Sequence, residues 1–364
     1  MHTTTLNFIT TRLAVICLTA ALVASTAILS ACEKQTQQYD YSIFTFGTLI
    51  DVTLYDVSKN QAEQAFAQLQ HDFDRYHQDW SSWTNGDLAQ LNKKIEHNAG
   101  SNSIVVPSHL IPMLRTSMEL SKQSDNYYNP AIGKLINLWQ FHKYQDKNIH
   151  PPEDSLIQDL IKQNPRLTNL TINERNELSS SNPAVSLNFG AFAKGYAIEL
   201  EIKQLQKLKI QNAVINAGGD LSVIGQHGDR AWNIGIRHPR NNSIIASIEV
   251  KSNESVFTSG DYERFYIHQN KRFHHILDPN TGYPAQDAQS VTVLHQNAGR
   301  ADAAATALFV AGSKNWQKIA KNMDIHYVML IDAGGNIHLT PAMEKRIKFL
   351  NKSPTSRIIV SEEL

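Results

Sequence analysis

Residues 301–309, with the sequence ADAAATALF, constrain the fold more than any other short stretch of this 364-residue chain. Alanine and leucine favour an α-helix, and side chains four positions apart share one helix face. Asp302 and Thr306 would therefore place two oxygen atoms together on an otherwise apolar helix. Hard cations such as Mg²⁺ bind oxygen ligands and complete their shell with water and phosphate. The stretch predicts an apolar helix that carries a candidate metal-binding pair.

Two structural interpretations of the same pair stay open at this point. Asp302, near a helix start, would interact favourably with the positive end of the helix dipole. Thr306 would hydrogen bond to a carbonyl one turn earlier. A local motif is only a hypothesis until its context is found, so the choice depends on the rest of the chain.

The composition indicates a globular protein without a nucleic-acid partner. Acidic and basic residues balance at 34 each, and 41% of the residues are hydrophobic. This length and hydrophobic share fit one large domain or two modest ones. Because nucleic-acid-binding proteins normally carry a basic face, the balanced charge argues against nucleic acid as a partner.

The N-terminal region predicts an export signal. Arg12 is its only charged residue before Cys32, and an apolar run at residues 13–29 leads into small residues just before that cysteine. This is the order of charge, apolar core and cleavage site in a secretory signal. A membrane-spanning helix is the alternative, but spanning needs about 20 apolar residues, more than this run contains. The ending also resembles a bacterial lipobox, so we expect residues 1–31 to be removed and Cys32 to be lipidated.

Cysteine usage agrees with export. Cys17 and Cys32 are the only cysteines, so removal of residues 1–31 would leave one and no internal disulfide. An exported protein without a spare thiol suits an oxidising compartment. We expect residues 32–40 to tether the protein to the periplasmic face of a bacterial membrane through Cys32.

The mature chain predicts an α+β fold. Short strand patterns occur in runs, with Gly and Asn turns between them and helical segments between some of them. We expect a single catalytic unit over residues 41–349, built from mixed, largely antiparallel sheets with flanking helices. A polar tail over residues 350–364 would follow.

Two glycine-containing segments are candidates for ligand contact. Residues 188–197, NFGAFAKGYA, place Lys194 at a predicted helix N-terminus, where free N–H groups attract phosphate. An ordinary helix start with a solvated lysine explains that segment equally well. Residues 216–220, NAGGD, lie between two strands and predict a hairpin turn, or a turn that lets a ligand approach the backbone.

Two further segments combine charge with turn residues. Residues 258–264, TSGDYER, set an arginine beside hydroxyl groups, which suits either phosphate binding or a surface ion pair. Residues 274–282, HHILDPNTG, predict a turn preceded by two histidines on opposite faces of a strand. Either histidine would serve as a base near neutral pH, although a structural hydrogen bond is the usual role of a single histidine.

The order of these motifs resembles the ApbE family of flavin transferases, also called FAD:protein FMN transferases. The motifs follow one another as GxxxKG, GGD, SGDYER, HxxDPxTG and ADxxxT, and the likeness extends from Phe46-Gly47-Thr48 to the hairpin near Gly335. The resemblance implies a cleft that binds FAD and Mg²⁺. It implies transfer of the FMN half to a threonine of a partner flavoprotein, with release of AMP. A lipobox is also typical of many members.

The resemblance assigns roles to individual residues. Asp302, Thr306 and the backbone carbonyl of Ala191 correspond to metal ligands. Contacts to FAD are expected from Phe46, Tyr128, Asn129, Asn188, Lys194 and Ile276, with Trp83 near a further aromatic contact of the family. His275 is a candidate base or phosphate contact, and Lys194 would hold the diphosphate during transfer.

Two positions depart from the family pattern. The family usually has Asp where this chain has Asn129 and Asn188. An amide keeps a hydrogen-bond acceptor and gains a donor, so ligand contact would survive at both positions. A role as a base would not survive at either.

Two other functions stay open on the sequence. The same site with water in place of the threonine would make a Mg²⁺-dependent FAD pyrophosphatase that releases FMN and AMP. A non-catalytic flavin-binding lipoprotein would fit the two missing carboxylates, although the Asp302 and Thr306 pair argues against it, since flavin binding does not require Mg²⁺.

Overall fold

The computed structural model describes residues 37–100, 103–146, 148–350 and 357–364. The predicted export signal, Cys32 and most of the predicted tether lie outside these residues. Within the described part of the chain, no helix is both long and apolar enough to cross a membrane. The strands and helices all belong to one unit, Gln38–Leu364.

The described residues form eight α-helices and seventeen strands. The helices are α1 Lys59–Trp80, α2 Asp87–Asn98, α3 Leu110–Gln123, α4 Gly133–Trp139, α5 Asp154–Lys162, α6 Ala193–Lys207, α7 Ala298–Asn322 and α8 Pro341–Glu344. The strands are β1 Gln38–Thr45, β2 Thr48–Tyr55, β3 Ile104–Val105, β4 Leu170–Ile172, β5 Glu177–Ser180, β6 Asn212–Ala217, β7 Asp220–Ile224, β8 Trp232–Arg237, β9 Ile244–Val250, β10 Ser255–Gly260, β11 Phe265–His268, β12 Lys271–His274, β13 Ala288–His295, β14 Tyr327–Asp332, β15 Ile337–Leu339, β16 Ile347–Phe349 and β17 Ile358–Val360.

A nine-stranded sheet organises the fold, in the order β1-β2-β6-β7-β10-β13-β14-β15-β17. Its pairs are antiparallel, except that β17 lies parallel to β15. Three smaller sheets, β16-β9-β8, β3-β5-β4 and β11-β12, complete the architecture. The predicted α+β class with largely antiparallel sheets is confirmed.

The chain end differs from the expected polar tail. Ile358 pairs with Ile337, so β17 extends the main sheet by one strand. Leu364 packs against the core as well. The sequence did not predict β17, because a three-residue strand is too short to give a periodicity signal. Its partner β15 also lies elsewhere in the chain.

The central strands are buried on both faces, because different layers cover them. Val291 and Val293 of β13 face the core that contains α6 and α7. Leu294 of β13 and Met329 of β14 face a second core shared with the β16-β9-β8 sheet. Such strands have near-continuous apolar sequences rather than strict alternation.

Helix α7 begins where Asn297 accepts a hydrogen bond from the Arg300 N–H, which caps the helix. Asp302 is therefore the fifth helical residue, beyond the first turn. The helix breaks at Gly312, whose φ of 66° lies in the left-handed region. A Cβ there would lie 2.6 Å from the Asp287 Cβ, so the break requires glycine.

A buried glutamate joins α1 to α6. The Tyr76 hydroxyl donates a 2.9 Å hydrogen bond to Glu201 Oε1, and Glu201 is 1% exposed. Its second oxygen has no partner among the described residues. Burial raises the pKa of Glu201 to about 7. The folded protein thus holds a proton on this group at pH values where the unfolded chain has already lost it.

We expect Glu201→Gln to stabilise the protein at alkaline pH. The pKa of Glu201 rises from an ordinary 4.5 to about 7 on folding, so the free energy of unfolding falls as pH rises through this window. Gln keeps an acceptor for Tyr76 and cannot ionise. The substitution should raise the unfolding free energy by about 1–3 kcal/mol at pH 8 and change it little at pH 4.5, as measured by urea denaturation. Glu63→Gln, on the exposed face of α1, is the matched control. A loss of stability at pH 8 in Glu201→Gln would contradict this account.

Candidate functional site

A hydrogen bond between Gly195 and Asp302 links helices α6 and α7. The Gly195 N–H donates to Asp302 Oδ2 at 2.8 Å. Gly195 lies in the first turn of α6, where N–H groups have no partner inside the helix. A Cβ at Gly195 would lie 2.4 Å from the Ala298 carbonyl oxygen, so glycine permits the close approach. Asp302 therefore caps α6 from the neighbouring helix with one of its two oxygens.

Two oxygen atoms, one on Asp302 and one on the chain just before α6, lack protein partners among the described residues. Asp302 Oδ1 accepts no hydrogen bond, and neither does the carbonyl of Ala191, four residues before Gly195. Asp302 is only 6% exposed. A carboxylate in such a buried residue is costly unless a cation or water satisfies its remaining oxygen.

Thr306 supplies a third oxygen on the same face of α7. Its hydroxyl lies 3.1 Å from the Ser259 hydroxyl on β10. It thus has a partner across the helix–sheet interface, in contrast to the bond back along the helix that the sequence left open. The position of Asp302 beyond the first turn also weakens the explanation by the helix dipole.

Lys194 and Asp220 form an ion pair beside Asp302. The second oxygen of Asp220 accepts a 2.7 Å hydrogen bond from the Thr258 N–H. Although burial alone would lower the pKa of Lys194, the negative charges of Asp220 and Asp302 raise it, so the ammonium stays charged. Burial raises the pKa of Asp302, the charge of Lys194 opposes that rise, and Asp220 adds to it.

These donors fit a hard divalent cation. A carboxylate oxygen, a hydroxyl and a backbone carbonyl are the ligand types that Mg²⁺ accepts, with water and phosphate completing the shell. The described residues contain no cluster of three or more His, Cys, Asp or Glu side chains that would hold a metal by themselves. The set Ala191, Asp302 and Thr306 therefore suits a cation whose shell is completed by water, and by a phosphate when one is bound.

His275 lies within electrostatic reach of Lys194 and Arg264. Burial, followed by the charge of Arg264, lowers the pKa of His275 well below its ordinary value, so the imidazole is neutral. Its backbone N–H donates to the Arg264 carbonyl at 3.1 Å. The buried Nδ1 has no partner among the described residues. A neutral imidazole with a free nitrogen is able to accept a proton.

The turn that carries Ala191 is held by Asn188. The Asn188 side chain accepts from the Gly190 N–H at 2.9 Å and donates to the Ser82 hydroxyl at 3.0 Å. An ionised aspartate has no N–H to donate, so it could not donate this second hydrogen bond to Ser82. Asn188 thus links the loop after α1 to the start of α6.

Asn129 and Tyr128 lie in the segment between α3 and α4. Asn129 donates to the Pro165 carbonyl at 2.9 Å and accepts from the Ala131 N–H at 3.0 Å, so its amide is used within the fold. The Tyr128 hydroxyl lies 3.1 Å from that of Ser117, and the ring packs near Phe192. Their expected contacts to FAD stay predictions.

The other expected flavin contacts lie on separate segments. Phe46 occupies the β1–β2 turn with a φ of 51°, and its ring packs against Trp80 of α1. Ile276 is buried directly after His275. Trp83 is 50% exposed, and its indole N–H donates to the Asn137 side chain at 2.8 Å. The described contacts do not join these three side chains to one another.

The sequence motifs contained three site residues that were not assigned individually. Asp220 ends the GGD turn, and Ser259 and Arg264 belong to the SGDYER segment. Asp220 pairs with Lys194, 26 positions away, and Ser259 contacts Thr306, 47 positions away. The Arg264 carbonyl accepts from His275, 11 positions away. Only the order of the motifs carried a signal, because no local spacing links these pairs.

Comparisons with known proteins place the whole arrangement in one family. A model of the ApbE family matches residues 46–339. An FAD:protein FMN transferase of Rhodobacter capsulatus is 37% identical over 311 residues, which is 84% of this chain and 58% of that protein. An FAD:protein FMN transferase of Treponema pallidum is 30% identical over 77% of this chain and 80% of its own length. This chain thus spans less than two thirds of the Rhodobacter protein.

Solved structures agree with the family match. The crystal structure of an ApbE protein from Thermotoga maritima has a TM-score of 0.75 and 28% identity, covering 85% of this chain and 99% of that one. The flavin transferase ApbE from Vibrio cholerae has a TM-score of 0.74 at 22% identity, covering 85% of this chain and 99% of its own, which supports the fold alone. The family match covers every motif from the Phe46 turn to the Asp302 helix, and this chain belongs to the ApbE family.

Proposed function

We propose that this protein is a Mg²⁺-dependent FAD:protein FMN transferase, which moves FMN from FAD to a threonine of an acceptor flavoprotein and releases AMP. The observations that carry the proposal are the buried Asp302 carboxylate, the Thr306 hydroxyl one helical turn further along α7, and the charged Lys194 ammonium on which Asp302 acts. A site built for a cation and a phosphate together is what cleavage of a dinucleotide diphosphate requires.

Lys194 binds the diphosphate in this proposal. Its ammonium is charged and 27% of its side chain is exposed, so part of the side chain is open to a ligand. Ala191, Asp302 and Thr306 would hold the Mg²⁺. The bound cation would neutralise negative charge on the diphosphate oxygens and on the departing AMP.

His275 accepts the proton of the acceptor threonine. The threonine oxygen forms a bond to the phosphorus on the riboflavin side, and the bond from that phosphorus to AMP breaks. Because burial and the charge of Arg264 lower the pKa of His275, its imidazole is neutral and takes up the proton as a base. Asn129 and Asn188 take no part as bases, and Asn188 contributes by fixing the turn at Ala191.

We expect Asp302→Asn and Thr306→Val to lower the transfer rate by roughly 100-fold or more, because the first removes the charge of a cation ligand and the second removes a hydroxyl ligand. The assay incubates the protein with FAD, Mg²⁺ and an acceptor flavoprotein domain, and follows covalent flavin fluorescence of the acceptor together with AMP. EDTA should have the same effect. Asp125→Asn, in an exposed ion pair with Lys318, is the control and should transfer at the normal rate.

The same assay separates the three functions. AMP and free FMN formed without acceptor would identify a pyrophosphatase. Tight FAD binding without AMP would identify a non-catalytic flavin-binding protein. Wild-type transfer by Asp302→Asn would contradict the metal assignment.

We further propose that residues 1–31 are removed and that a lipid on Cys32 holds the enzyme at the periplasmic face of a membrane. The support is the apolar run at residues 13–29 followed by small residues before Cys32. The inner and outer membranes are both compatible with this sequence.

We expect Cys32→Ala to abolish incorporation of labelled palmitate in expressing bacteria and to leave residues 1–31 uncleaved, because lipidation and cleavage both depend on this cysteine. Cys17→Ala lies inside the removed segment and should behave like the unaltered protein. Palmitate incorporation by Cys32→Ala would refute the anchor.

A further inference from the structure

Asp220 is held by both of its carboxylate oxygens. One oxygen receives the Thr258 N–H at 2.7 Å, and the other receives the Lys194 ammonium. The residue is only 6% exposed. Its direction is therefore fixed by a backbone group of β10, and the position of the Lys194 ammonium follows from it.

The turn before Asp220 has little freedom. Gly218 and Gly219 have φ values of 65° and 103°, which lie in the left-handed region. A Cβ on Gly218 would lie 2.6 Å from the Thr48 hydroxyl, so the turn packs directly against the β1–β2 hairpin. The Gly219 N–H is bound by the Asn216 side chain at 2.8 Å. Asp220 thus enters β7 from a fixed turn.

Lys194 has a second carboxylate within electrostatic reach. It immediately precedes Gly195, whose N–H binds Asp302, and the charge of Asp302 acts on Lys194. The described residues nevertheless include no ion pair within 4.0 Å between Lys194 and Asp302, whereas Lys194 does pair with Asp220. A lysine ammonium on its flexible stem turns to whichever carboxylate is available.

If the Lys194 ammonium paired with Asp302, it would compete directly with a cation for that carboxylate. The free oxygen of Asp302 would accept from Lys194, and a divalent ion would then have to displace a buried charge partner. Attraction between opposite charges is strong in such a partly buried setting, so the competition would be large.

We propose that Asp220 is a positioning residue that keeps the Lys194 ammonium away from Asp302, and thereby keeps the Asp302 carboxylate available for the cation. This rests on the proposed function, because it assumes the Ala191, Asp302 and Thr306 cation site. Asp220 touches neither FAD nor the cation in this role.

The test measures cation binding without FAD. Mn²⁺ is titrated into the purified protein, and the free ion is followed by its electron paramagnetic resonance signal. Asp220→Asn should weaken Mn²⁺ binding by about tenfold, since Asn cannot pair with the ammonium and Lys194 turns to Asp302. The Asn oxygen still accepts from the Thr258 N–H, which favours a folded variant.

A second substitution makes the test specific. Lys194→Met alone should bind Mn²⁺ at least as tightly as the unaltered protein, because the competing ammonium is gone. Asp220→Asn combined with Lys194→Met should restore Mn²⁺ affinity without restoring FMN transfer. A merely structural role of Asp220 would not give this rescue. Asp72→Asn is the control. It removes a different buried carboxylate, which pairs with Arg75, and should leave Mn²⁺ binding unchanged.

The outcomes separate the two proposals. Unaltered Mn²⁺ affinity in Asp220→Asn, or no rescue in the double variant, would overturn the role of Asp220 and leave the cation site intact. A loss of Mn²⁺ affinity in Lys194→Met would also overturn the role of Asp220. This variant tests the proposal even if Asp220→Asn does not fold. Absence of Mn²⁺ binding in the unaltered protein would overturn the cation site together with this inference.

Discussion

The hydrogen bond from the Gly195 N–H to Asp302 is the contact on which the site depends. It joins the first turn of α6 to α7, and the missing Cβ of Gly195 lets the two helices approach closely. It satisfies an N–H that would otherwise lack a partner, and it uses only one oxygen of Asp302. A structural cap and a cation ligand are therefore compatible roles of one carboxylate. Burial would make that carboxylate costly if its other oxygen had no partner.

The charged groups around this contact explain why the site needs both helices. Lys194 comes from α6, Asp302 from α7 and Asp220 from the first position of β7. The Lys194 ammonium thus interacts with two buried carboxylates, Asp220 and Asp302, so a bound cation would add positive charge where negative charge is in excess. In the proposed transfer, catalysis would come mainly from position and electrostatics, because phosphoryl transfer requires little covalent chemistry from the protein.

Local patterns in the sequence predicted one part of this arrangement well. The four-residue spacing of Asp302 and Thr306 placed both on one helix face, because that spacing is a property of the helix alone. The α+β class followed from short strands and turns. The Ser259 contact to Thr306 and the pairing of β17 with β15 did not follow, because each joins segments far apart in the chain. The break at Gly312 packs against Asp287, which lies before the helix in the chain. Long-range partners of this kind were indicated only through the order of the family motifs.

A crystal soaked in Mn²⁺ tests the central claim most directly, through the anomalous scattering of the metal. The account predicts one strong peak within about 2.5 Å of the Asp302 carboxylate, the Thr306 hydroxyl and the Ala191 carbonyl, with Lys194 still paired to Asp220. A peak elsewhere, or the Lys194 ammonium bound to Asp302 with no metal at that place, would contradict it.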